Sequence, residues 1–166
     1  MLPNTLITLG MHSLADNYRL TTVDTNQSLV EIEDLAFSNC QSLVNVELPS
    51  SLTTIRYMAF NYCLSLKSIT LRENIAYISD YAFRATNLSQ ICMFRLTPPL
   101  IGQDIFNGVN HNTCVLTLPS GASVLTSYKS TNQWKDFANI IQSDYPINYY
   151  NVNICYNSGG TIKYNS

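Results

Sequence analysis

Phe37, Phe60, Phe83 and Phe106 stand 23 residues apart, each interval equal to the last. Ile32, Ile55, Ile78 and Ile101 keep the same step five residues ahead of them, and Ala36, Ala59 and Ala82 directly precede the first three phenylalanines. A fixed period between about 20 and 50 residues is the mark of a solenoid, in which each coil buries its apolar face only by stacking on the next. The repeating residues are the ones that fill a core, so they specify architecture before function.

Bulk composition narrows the partners. Hydrophobic residues make up 46% of the 166, enough for one folded domain, while charged residues are only 12%, about half of the ~25% usual for soluble domains. A net charge of -2 and a pI near 5.5 leave no basic footprint for nucleic acid. No stretch approaches the roughly 20 apolar residues of a transmembrane helix. Met1-Leu2-Pro3-Asn4 opens without a basic region or an apolar run, and so does not read as a signal peptide.

Within each coil the period changes. Val46-Glu47-Leu48 and Ile69-Thr70-Leu71 alternate apolar and polar as strands do. Strands on successive coils pair side by side about 4.8 Å apart. The Ala-Phe pair, followed by Asn or Tyr and then Cys, reads as a tight bend with the ring inside. A weaker copy, with Leu6, Leu9, Leu14, Asn17, Leu20 and Val23, precedes these coils, and a degenerate one with Ile101 and Phe106 comes after them. The third coil loses a residue between Phe83 and Leu88 and regains it between Met93 and Ile101, so the phase returns by Phe106.

After Pro98-Pro99 the pattern loosens. Cys114 to Pro119 is expected to be a last strand, and Ala122 to Ser130 a short helix with Val124, Leu125 and Tyr128 on one face. Trp134, Phe137, Ile140 and Ile141 then supply bulky cover. An open solenoid end exposes core and strand edges, so it needs such a lid. The division expected is a mostly β repeat solenoid over 1–97, a degenerate last repeat and C-terminal cap over 98–144, and a hairpin-like tail or start of a further β-domain over 145–166. That tail carries Tyr145, Tyr149, Tyr150, Tyr156 and Tyr164, and strand preference explains them most simply.

The run Leu52-x-x-Ile55-x-x-x-Ala59-Phe60-x-x-Cys63-x-x-Leu66-x-x-Ile69-x-Leu71 resembles the repeat of BspA-like leucine-rich-repeat proteins. The match holds around Ala36-Phe37 and Ala82-Phe83. The closing segment, with Thr117-Leu118-Pro119, Tyr128-Lys129 and Trp134-x-x-Phe137-x-x-Ile140, is similar to the usual end of such arrays. The resemblance covers roughly residues 6 to 144. It implies a leucine-rich-repeat solenoid on a secreted or cell-surface bacterial protein, acting in adhesion to host matrix proteins, other cell-surface proteins or glycans. It brings no catalytic residue and no cofactor. The weak first repeat and Thr86 in the cysteine column depart from the pattern.

Chemistry-bearing residues are sparse. Cys40, Cys63, Cys92, Cys114 and Cys155 form no CxxC pair, and His12 and His111 lie far apart, so the clustered ligands of a zinc site are missing. The odd cysteine count argues against a complete disulfide framework. Cys40 and Cys63 are expected to be reduced, buried and stacked. The histidines have no nearby nucleophile or orienting carboxylate and read as ordinary loop residues. Glu31, Glu33 and Asp34 form the dense acidic patch, with a Glu33–Arg56 pair expected across coils.

The outward strand positions are the candidate ligand face: Asn45, Glu47, Lys67, Ser68, Thr70 and Gln90, with Val44, Ser89 and Cys92 alongside, on one continuous sheet. The expected function is a non-enzymatic binding module, with a structural spacer solenoid as the alternative.

Overall fold

A computed structural model describes residues 2–144; the expected hairpin after Pro146 lies outside the described residues. The chain winds into stacked coils, each contributing a two-residue strand and, past a tight turn, a longer one. The short strands β1 (Thr8–Leu9), β3 (Glu31–Ile32), β5 (Thr54–Ile55), β7 (Tyr77–Ile78) and β9 (Leu100–Ile101) form a parallel five-stranded ladder. Its register runs Thr8, Glu31, Thr54, Tyr77, Leu100, which is the 23-residue period expressed as pairing. This second strand per coil was not legible in alternation, because two residues carry too little pattern.

The longer strands are β2 (Thr22–Asp24), β4 (Asn45–Glu47), β6 (Ser68–Leu71), β8 (Gln90–Met93), β10 (Val115–Pro119) and β11 (Asn139–Ser143). They do not make the single continuous sheet expected. β2 pairs with β4, and β6, β8, β10 and β11 form a separate parallel sheet. The N–H groups of Val44 and Asn45 reach back to Thr21 O, and those of Ser89 and Gln90 to Lys67 O, whereas among the described residues no ladder joins β6 back to β4. Ser68 pairs with Gln90, a step of 22 residues, whereas Tyr77 pairs with Leu100 at 23. The lost residue is therefore absorbed in the loop between Phe83 and β8.

The core lies between the two sets of strands. Phe37, Phe60, Phe83 and Phe106 are wholly or almost wholly buried. Their rings stack at centroid separations of 4.9, 5.3 and 5.9 Å, with planes 8°, 7° and 15° apart. The ring column is a consequence of the bend that carries it. In each full coil the bend closes on itself, as Ala36 N–H donates to Glu33 O, Ala59 to Arg56 O and Ala82 to Ser79 O. It then docks on the next coil, with Phe37 N–H donating to Ala59 O at 2.8 Å and Phe60 N–H to Ala82 O at 2.8 Å.

Such a bend needs two reversals of the chain, and both appear as columns of left-handed backbone. His12, Leu35, Met58, Tyr81 and Asp104 hold φ between 48° and 59°. Asp16, Asn39, Tyr62 and Ala85 hold φ between 53° and 62°, and Gly108 continues their column at 91°. A left-handed non-glycine residue costs about 1–2 kcal/mol, and β-branched residues suffer most. Neither column contains Val, Ile or Thr.

The last coil is closed by the cap segment. Helix α1 spans Ala122–Ser130 and buries Val124 and Tyr128, with Leu125 half-buried against the core. Tyr128 donates its hydroxyl to Arg95 O at 3.1 Å. Trp134 and Phe137 meet the ring of Phe106 edge-on at 5.1 and 5.2 Å. Ile140 and Ile141, expected as bulky cover beyond a last strand at Cys114–Pro119, lie in a further strand, β11, which pairs with β10 along its whole length.

In the last coil the bend does not close on itself. Ile105 N–H donates to Oε1 of Gln133, and Nε2 of Gln133 donates to Gly102 O, each at 2.7 Å. Gln133 thus occupies the gap between the two backbone groups that bond directly in the earlier coils. Gly102 itself has no room for a side chain. A Cβ there would stand 2.0 Å from Asp80 Oδ1, which reaches across to accept Gln103 N–H at 2.7 Å, and 2.4 Å from the backbone N of Asp80 on the coil beneath.

Candidate binding surface

In the long strands alternate residues turn inward. Val46, Ile69 and Ile91 are buried, and their neighbours form the opposite side. Asn45 and Glu47 stand on β4, opposite Thr22 and Asp24 of β2. Ser68 and Thr70 stand on β6, with Gln90 of β8 beside Ser68. Lys67 immediately precedes β6. Glu47, Lys67 and Ser68 are exposed, while Asn45, Thr70 and Gln90 are half-buried. The six residues are thus divided between two sheets.

Cys92 departs from the outward reading. It pairs with Thr70 and Thr117, but it is fully buried, as is Thr117. It stands outside the apolar core cluster and is disulfide-bonded. The column from Thr70 therefore closes at Cys92 and Thr117, while the column from Ser68 runs on to half-buried Gln90 and Val115.

The cysteine column behaves as expected. Cys40 and Cys63 are free and completely buried. Each thiol donates to a carbonyl of the preceding coil, Cys40 to Leu14 O at 3.0 Å and Cys63 to Phe37 O at 3.2 Å. Burial pushes both thiols above the ordinary range, and Cys114 likewise to about 11. They pack as small hydrophobes, and the raised values leave little thiolate for chemistry. Thr86, the departure in this column, turns its hydroxyl to Phe83 O of its own bend at 2.8 Å, which satisfies a buried polar group.

Arg56 pairs with Glu31 rather than Glu33. Glu33 points to the preceding coil, where its Oε2 accepts Met11 N–H at 2.8 Å. Asp34 does the same for Tyr57 N–H of the next coil at 3.1 Å. The acidic patch is thus largely a set of props between coils.

Neither histidine joins a nucleophile–base arrangement. His12 is exposed in its left-handed turn, and His111 packs its ring 4.6 Å from Phe137. Among the described residues no group of three or more His, Cys, Asp or Glu is placed to hold a metal ion. A depression of about 430 Å³ between the last coil and the cap is lined by Ile101, Gly102, Gln103, Asp104, Asn132 and Gln133. Gln133 already spends its amide there on the backbone. No helix among the described residues is long and apolar enough to cross a membrane.

The turns carry a group that strand alternation did not single out. Tyr57 and Tyr81 meet edge to face at 6.3 Å, and the Arg84 guanidinium stands 5.8 Å from the ring centroids of both Tyr62 and Tyr81. The available signal was positional: the tyrosines sit beside the Ala-Phe pairs, in or next to the left-handed columns.

Fold and surface together define a leucine-rich-repeat β-solenoid. The pattern of the BspA type leucine rich repeat region matches residues 1–113 in six copies, and the chain belongs to that family. No curated protein matches it. Among solved structures it is similar to the pneumococcal vaccine antigen PcpA, at 20% identity and a TM-score of 0.65, over 86% of this chain and 40% of that one. It is similar to a leucine rich cell surface protein from Faecalibacterium prausnitzii A2-165, at 25% identity and a TM-score of 0.62, over 76% of this chain and 33% of that one. A leucine-rich repeat protein from Bacteroides ovatus ATCC 8483 aligns at 22% identity and a TM-score of 0.56, over 69% of this chain and 35% of the other. The chain spans less than half the length of each.

Proposed function

We propose that this chain is a non-enzymatic binding module of an exported bacterial surface protein, engaging a matrix protein, another cell-surface protein or a glycan. The observation that carries the reading is the register of the long strands. It sets Asn45 beside Thr22 and Ser68 beside Gln90, while the residues between them point into the core. Repeat solenoids commonly bind through their stacked strand surfaces. We assign the contact to Asn45, Glu47, Lys67, Ser68, Thr70 and Gln90, and divide the chain into solenoid, cap over 98–144 and tail. The surface location is supported by the structural neighbours, one a cell surface protein and one a vaccine antigen.

The test is titration of the whole chain onto immobilised matrix proteins and glycans. Saturable binding of modest affinity is expected, since few aromatic or Arg anchors occupy the assigned face. Absence of binding to every surface overturns the reading and leaves a spacer that holds other domains apart.

A further inference from the structure

Tyr57, Tyr62, Tyr81 and Arg84 come together on the turns of two adjacent coils, away from the strands assigned above. Tyr57 and Tyr62 are 38% and 43% exposed. The backbone beneath them is fixed: Tyr62 N–H donates to Arg84 O and Tyr81 N–H to Gln103 O, each at 3.0 Å. Arg84 lies over two rings at once, which holds the guanidinium in place before any partner arrives. Among the described residues, neither that guanidinium nor the hydroxyls of the three tyrosines form a hydrogen bond or ion pair.

We propose that these four residues are a second docking surface, for a protein segment that presents a carboxylate beside an apolar side chain. The unspent capacity of Arg84 is donor only, and its planar fork matches a carboxylate bidentately. Tyrosine rings supply rigid amphipathic contact area at low entropic cost, and Tyr and Arg are the residue types that dominate binding hot spots. A stacked guanidinium loses less freedom on pairing than a free one. The carboxylates of Asp34 and Asp80 accept Tyr57 N–H and Gln103 N–H and form no ion pair with Arg84, so the guanidinium is left for an incoming carboxylate. A glycan fits less well, because Arg84 covers a face of both the Tyr62 and the Tyr81 ring.

The whole chain is applied to an array of immobilised peptides in which Asp/Glu content and apolar content vary independently, beside an array of neutral glycans. Capture should favour peptides that combine a carboxylate with an apolar neighbour. Arg84→Gln and Tyr62→Ala should each weaken it by about tenfold or more, with thermal melting unchanged because the side chains lie on the surface. The sheet-face substitutions Glu47→Ala, Lys67→Ala and Gln90→Ala should leave this capture intact, which separates it from the function proposed above. Capture indifferent to the carboxylate, undiminished in Arg84→Gln, confined to glycans or absent altogether overturns the proposal.

Discussion

Gln133 accepts the backbone N–H of Ile105 at 2.7 Å and returns a proton donor to Gly102 O at the same distance. In the preceding coils the equivalent N–H and C=O bond each other directly. One side-chain amide therefore finishes the array, with Trp134 and Phe137 closing the aromatic column next to it.

Gln133→Ala should cost about 1–3 kcal/mol, the usual penalty for leaving a partly buried backbone group unsatisfied. Gln133→Glu keeps an acceptor for Ile105 N–H but sets a carboxylate against Gly102 O, so it should also destabilise. Denaturant midpoints of the two variants test this. Parent-like midpoints in both would show that the amide merely fills space.

Phe60 lies within the ring column, stacked on Phe37 and Phe83. Phe60→Ala should lose roughly 3–5 kcal/mol, because neighbours held by two backbone ladders cannot collapse into the void. Equilibrium unfolding reads this loss directly, and melting like the parent would contradict the register.

Gly102→Ala should be among the most damaging small substitutions. The new Cβ would meet Asp80 Oδ1 and, less avoidably, Asp80 N. Overpacking typically costs about 1–3 kcal/mol. Gly102→Ala combined with Asp80→Ala should recover only part of it, since the backbone contact remains. Full recovery in the double variant would assign the clash to the carboxylate alone.

The buried thiols make a pH prediction. Cys40, Cys63 and Cys114 ionise less readily in the fold than in the open chain, because burial disfavours the thiolate. Folded values above unfolded ones mean their contribution is complete below about pH 9 and is lost as pH rises towards the folded values. Stability should therefore fall from about pH 9 upward, and Cys63→Ala should flatten the slope. Peptide mapping after alkylation in denaturant, without reductant, should find Cys40 and Cys63 labelled. A Cys40–Cys63 cross-linked peptide would contradict the thiol column.

The sequence made the core legible because stacking forces identical residues into identical places. The phenylalanine, isoleucine and alanine columns, the compensated slip before Leu88 and the helix from Ala122 to Ser130 all appear where spacing put them. The features that stayed hidden depended on groups that have no period. Gln133 acts through a side-chain amide beyond the repeats, and the break between β4 and β6 is a backbone event. The Glu31–Arg56 choice turned on Glu33 finding the Met11 N–H instead. The Tyr and Arg cluster escaped because it lies on bends rather than strands.

The most direct measurement of the binding account compares the parent with the triple variant Glu47→Ala, Lys67→Ala, Gln90→Ala on the matrix protein or glycan surface that captures the parent. All three positions are exposed or half-buried, and matched melting curves verify that the fold is kept. The account predicts adhesion weakened by about tenfold or more in the triple variant. Adhesion that survives unchanged would contradict the assignment of this face.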